Sequence, residues 1–170
     1  MRSSALVTLG AAALAAAVFA VGANAGPPWG PETPPFNLEV ILRDVTGGQG
    51  FGHVKFRQRN DDERIINLDT WVRDLQPNHD YLLQRAVDTS LDGNCTSTAW
   101  LTLGEGFEVT PITTDDRGTK RVAFFRNLDP PGPMTGPQPG TAFDIHFRVI
   151  DAATSAPVLQ SGCYRYTVSL

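Results

Sequence analysis

The chain is poor in the residues that most often carry chemistry. It has three histidines and two cysteines. His53, His79 and His146 do not fall at ligand spacing on any one segment, which argues against a multi-histidine metal centre. No G-x-S-x-G elbow occurs and no serine stands out, which argues against a serine hydrolase. There is no basic tract: Lys55, Arg57 and Arg59 share one segment, but Asp61, Asp62 and Glu63 follow at once. Nucleic acid is therefore excluded as the main partner, since neutralising phosphates needs clustered positive charge. Beyond the first 25 residues no segment sustains a 3.6-residue apolar period, which speaks against a helical fold.

The chain opens as a secretory signal does. Arg2 is the only charge before Glu32, an apolar run fills positions 5–21, and Ala23-Asn24-Ala25 supplies the small-x-small pattern of a cleavage site. Cleavage is expected after Ala25. The run is rich in alanine and only marginally apolar, unlike a spanning helix of about 20 strongly apolar residues, so no membrane anchor is expected in the mature chain. No cysteine follows the apolar run, which argues against a lipoprotein. Loss of residues 1–25 leaves 145 residues with 13 basic and 18 acidic side chains, a net charge of −5. That length suits one domain with a core of its own. The expected place of action is secreted, periplasmic or at the cell surface.

Residues 26–35 hold five prolines, which fix φ and remove backbone donors. They predict an extended leader, on which Trp29 could dock. From 36 to 170 apolar and polar residues alternate. Strands are predicted at 36–45, 52–59, 65–73, 81–87, 119–126, 143–149 and 164–168, with a short one around Ala99, Leu101 and Leu103. Gly, Pro, Asn and Asp clusters separate them, among them the polar turn 60–63 and the turn 74–80. Residues 129–141 read as a long crossover loop. About eight strands, each with one apolar face, predict a single all-β domain over 36–170: an antiparallel Greek-key β-sandwich or flattened barrel. Cys95 and Cys163 are an even count, and in an oxidising compartment they suggest a disulfide, the other reading being two buried thiols. Closing a 68-residue loop is worth about 4 kcal/mol on the chain-entropy model.

Several of these features occur in an order that resembles the Cu/Zn superoxide dismutase-like β-sandwich. Gly52-His53-Val54-Lys55-Phe56-Arg57-Gln58 is similar to its G-x-V-x-F-x-Q strand. Val72 to His79 resembles its G-L-x-P-G-x-H turn, and Asp88 to Ser97 its G-D-x-T-x-G-C-x-S segment. The turn at 114–118 resembles D-x-x-G, and 140–146 resembles the strand that ends in a copper-ligating histidine. The resemblance implies the sandwich and a Cys95–Cys163 bridge. The chordin-type repeat has a similar strand-and-turn pattern and stays open as an alternative. The resemblance also implies an H-x-H pair, yet counting from Leu75 those places hold Leu83 and Arg85. The stretch 98–103 supplies no zinc-loop histidine. His146 alone matches a ligand position, so dismutase activity is not expected.

Other patterns have plainer readings beside them. His53 and His146 lie on polar sides of strands and would form a weak metal site if those strands were neighbours; otherwise they are exposed polar-face residues. His79-Asp80 resembles the base and orienter of a triad without a nucleophile. Asp88, Asp92 and Asn94 are oxygen donors near a glycine, but without a closing glutamate they read as a hydrogen-bonded loop positioning Cys95. Asn94-Cys95-Thr96 fits a glycosylation acceptor, discounted because the alanine-rich signal looks bacterial. Trp71, Trp100, Tyr81, Tyr164 and Tyr166 can line a groove or pack in the core. The expectation is a non-catalytic binding or structural module with no cofactor and a protein or small-molecule ligand. The alternative is an extracytoplasmic metal-handling or redox protein using His146 with another histidine.

Overall fold

The computed structural model describes residues 37–59, 64–129 and 136–169. The expected signal peptide, the leader with Trp29, the polar turn 60–63 and positions 130–135 of the crossover loop lie outside the described residues.

The described chain is all-β. Its strands are β1 (Asn37–Asp44), β2 (Phe51–Gln58), β3 (Ile65–Arg73), β4 (Asp80–Asp88), β5 (Leu101–Thr102), β6 (Gly104–Glu105), β7 (Glu108–Val109), β8 (Ile112–Thr113), β9 (Lys120–Asn127), β10 (Ala142–Asp151), β11 (Pro157–Ser161) and β12 (Tyr164–Thr167). Eight of these are four residues or longer; seven of them match predicted strands, and the expected strand around Leu101 shrinks to the two-residue β5. The strand order β5-β4-β10-β11-β1-β2-β3-β9-β6-β7 wraps into a nearly closed, flattened Greek-key barrel, with β12 on β10 and β8 on β4. β5 pairs with β4 while β6 pairs with β9, and only Leu103 separates them. The five-residue segment 101–105 therefore spans the gap between the two ends of the main sheet. Leu103 N–H donates to Leu83 O at 2.8 Å, which fixes the crossing point.

Period-two alternation places the core. Val40 and Leu42 of β1, Val54 and Phe56 of β2, Leu68 and Val72 of β3, Leu83 of β4, and Phe147 and Val149 of β10 are all buried. Burying such side chains contributes about 1.5–3 kcal/mol each. Phe56 packs edge-on against Phe147 and Tyr166, at 5.9 and 4.8 Å between ring centroids. β11 was not evident from the pattern. It begins with a proline and buries only Leu159, too weak a period to mark a strand.

One glycine is dictated by a close approach. Gly118 has φ +69°, and a Cβ there would lie 1.9 Å from Leu75 O. Leu75 N–H donates to Gly118 O at 3.1 Å, stapling the turn before β9 to the turn before β4. Buried Thr114 adds to the staple, its hydroxyl donating toward Gln76 O at 2.7 Å.

Candidate functional site

The structure corrects the expected exposure of His146. It sits on the face of β10 opposite the core, but only 4 % of it is exposed. The segment 89–100 covers it. His146 Nε2 lies 3.0 Å from Ser97 O, and the Trp100 ring lies 4.5 Å from the imidazole and 4.0 Å from the Arg148 guanidinium. Cys95 and Cys163 form a disulfide, Cα to Cα 5.4 Å. It ties this segment to the turn between β11 and β12. Carboxylates complete the attachment. Asp144, 1 % exposed, accepts from Gly93 N–H at 2.6 Å and from Arg165 Nε at 3.1 Å. Those two bonds, Arg165 first, hold its carboxyl below the usual range. Asp88 accepts from Ser97 N–H at 3.1 Å, and Asp92 from Asn94 N–H at 2.9 Å. The acidic residues of this segment are thus a hydrogen-bonded loop that positions Cys95, the plainer of the two readings.

His146 and His53 do not meet. β2 and β10 are separated by β1 and β11 in the strand order. His53 instead lies 2.5 Å from Glu39 Oε2, and the other oxygen of that carboxylate, Oε1, pairs with Arg57. The cross-strand neighbours of His146 and Arg148 on β4 are Ala86 and Gln84. This moves the register of the expected ligand pair by one residue: Leu83 and Arg85 point to the other face, into the barrel. Gln84 Oε1 accepts from Arg148 Nε at 2.7 Å, and its amide donates to Thr102 at 2.9 Å. His79 pairs with Asp151 at 2.6 Å, not with Asp80, whose carboxylate accepts from Thr113. The cleft beside this pair is lined by Asn78, His79, Asp80, Thr113, Ala152 and Ala153, with no serine or cysteine. Among the described residues no group of three or more His, Cys, Asp or Glu is placed to hold a metal ion.

The five aromatics divide between core and surface. Tyr81 and Tyr166 are buried, Tyr164 accepts from Ile41 N–H at 3.0 Å, and Trp100 packs over His146. Trp71 alone stays open, at 38 % exposure, edge-on to Phe51 with Arg73 near both rings. It lines an open cleft of about 920 Å³ over the outer faces of β2, β3 and β9, where His53, Lys55, Lys120 and Arg121 mix with Asp69 and Asp115. That cleft is open to solvent, and its charges are of both signs.

A smaller, partly open space is lined by core residues of the barrel. Its volume is about 290 Å³, near the lower bound of small-molecule sites. Phe56 of β2, Ile66 and Leu68 of β3, Val87 of β4 and Phe143 and Ile145 of β10 make its apolar walls. Leu103 of the closing segment, Leu128, Pro137 and Tyr166 complete them. Arg64, half-buried, pairs with Asp129 at 2.8 Å and donates to Pro137 O, so it pins one wall. Two cations enter this apolar space. Arg85 of β4 and Arg126 of β9 lie in phase with Leu83 and Phe124, and both line it. Arg126 donates to Gly106 O at 3.1 Å and lies 4.1 Å over the Phe107 ring. Arg85 makes no hydrogen bond or ion pair among the described residues. Burial first, then the neighbouring Arg126 charge, lowers the Arg85 pKa, and burial lowers that of Arg126. Among the described residues no carboxylate lines the space.

Sequence reasoning placed Arg85 only as a residue unfit for copper, and it passed over Arg126. A signal was present in both strands: an arginine at a position in phase with core residues, in Tyr81-x-Leu83-x-Arg85-x-Val87 and in Val122-x-Phe124-x-Arg126. Compared with protein-family models, curated proteins and solved structures, the chain matches none.

Proposed function

We propose that the protein is a non-catalytic binding module of an oxidising, extracytoplasmic compartment, and that it holds a small, largely apolar ligand within its barrel. The observation that carries this reading is the 290 Å³ apolar space among core residues of the barrel. Interiors of this kind are normally filled to crystal-like density, so a lined space of ligand size is a feature to be explained. The signal-like N-terminus and the Cys95–Cys163 bridge support the compartment, since disulfides persist outside the reducing cytoplasm. The superoxide dismutase-like resemblance enters this reading as a scaffold only. Where the resemblance looks for ligating side chains around His146, the chain has Gln84, Ala86 and the Trp100 ring. Catalysis is not part of the proposal.

The test is a neutral, apolar fluorescent probe such as N-phenyl-1-naphthylamine, titrated into the native protein. Saturable enhancement is expected, lost in Leu103→Trp or Ile145→Trp, whose added bulk occupies the space. Enhancement that is absent, or unchanged by both variants while they melt as folded proteins, would overturn the reading.

A further inference from the structure

An arginine pair inside an apolar cavity is not a stabilising arrangement. Both residues are half-buried, so each guanidinium gives up part of its hydration to walls that cannot replace it, and the two like charges repel. In folded proteins such groups are paired with carboxylates, yet neither Arg85 nor Arg126 has one among the described residues. The pair is also well formed for one purpose. Two planar forks present several N–H donors and no acceptor, and such forks match the oxygens of a carboxylate or phosphate bidentately. The rest of the lining offers a ligand only apolar surface, since the Tyr166 hydroxyl is already taken by Gln58. Cation and apolar wall thus call for one molecule with an anionic end and an apolar body.

We infer that the cavity binds an amphipathic anion, its head group held by Arg85 and Arg126 and its tail packed against Phe56, Leu68 and Ile145. This rests on the cavity being a ligand site and adds the ligand's chemical class. Arg126 is the more fixed of the two, through Gly106 O and the Phe107 ring. Arg85 is free to move its donors toward the head group. The volume limits the tail. Each buried methylene raises affinity about fourfold, and the rise must stop when the space is full, so short and medium chains are favoured over long ones.

Calorimetry of the native protein with decanoate, decyl phosphate and decanol tests this. The expected result is binding of one or both anions at least tenfold tighter than the alcohol. The tighter of the two identifies a carboxylate or a phosphate head. Arg85→Gln with Arg126→Gln should abolish the preference for the anion while leaving decanol binding within about threefold. Equal affinity for decanol and both anions would overturn the ligand class and leave the binding reading intact. An anion preference that survives the double substitution would place the head group elsewhere and overturn the inference as well. If none of the three binds and the neutral probe also fails, the cavity is no ligand site and both readings fall together. Circular dichroism of the double variant guards against unfolding. Should it be unfolded, Arg85→Lys and Arg126→Lys, which keep charge but lose the bidentate fork, carry the test: a tenfold or greater fall in anion affinity is expected, and no change would overturn the inference.

Discussion

Arg85 and Arg126 are the residues at which local pattern and local chemistry disagree. Their positions in the strand alternation belong to the core, and their charges do not. If they serve a ligand, they cost the empty protein stability. Replacing Arg85 with Met keeps the volume and removes the desolvated charge and its repulsion with Arg126. The expected outcome is a rise in unfolding free energy of up to about 1 kcal/mol in urea melts, since the half-buried guanidinium keeps part of its hydration, together with loss of anion binding. A fall in stability would instead mark Arg85 as a structural residue. Asp151 shows the opposite economy. Its carboxylate is held down to about 2, chiefly by the Thr154 N–H and then by the His79 ring, with burial opposing. A folded pKa below the unfolded value near 3.8 means that ionisation favours the fold. This contribution is complete above about pH 4 and disappears as pH falls toward 2. Asp151→Asn should lower stability at pH 7 and flatten its decline between pH 4 and 2. An unchanged acid limb would contradict the assignment.

At the level of elements, two segments do the closing. The stretch 101–105 joins β4 to β9, and the disulfide-held stretch 89–100 covers the outer face of β4 and β10. The double substitution Cys95→Ser, Cys163→Ser should cost a few kcal/mol, up to the roughly 4 kcal/mol of the loop-closure model. It should also raise the reaction rate of His146 with diethyl pyrocarbonate, because Trp100 and Ser97 lose their tether. His53 should react at an unchanged rate and so serve as an internal control. Equal protection of His146 in both proteins would mean that Asp88 and Asp144 hold the segment without the bridge. These elements also show what a sequence discloses. The strands with strict alternation, such as β3 and β10, were legible because one face is buried along their whole length. The pairs β5 to β8 are two residues each and carry no period at all. The cover over His146 was hidden for a related reason: it depends on contacts between segments some 50 residues apart, which no local pattern encodes.

For the whole molecule, the all-β class and the pairing of Cys95 with Cys163 were readable from patterning and cysteine count. The cavity was not, because it is made where strands from opposite ends of the sheet face one another. β4 and β9 bring Arg85 and Arg126 into the same space only once the barrel has wrapped round. Arg85 could be recognised as odd in the sequence, but its partner could not be named. The barrel thus combines an apolar wall with a cationic spot. The most direct measurement is an NMR pH titration of decanoate labelled with ¹³C at the carboxyl carbon and bound to the protein. Between two guanidinium groups the bound carboxylate should stay ionised well below the pH at which free decanoate protonates, and this depression should vanish in the double Arg→Gln variant. A bound carboxyl that titrates at or above its free value would contradict the account, since its head group would then lie away from Arg85 and Arg126.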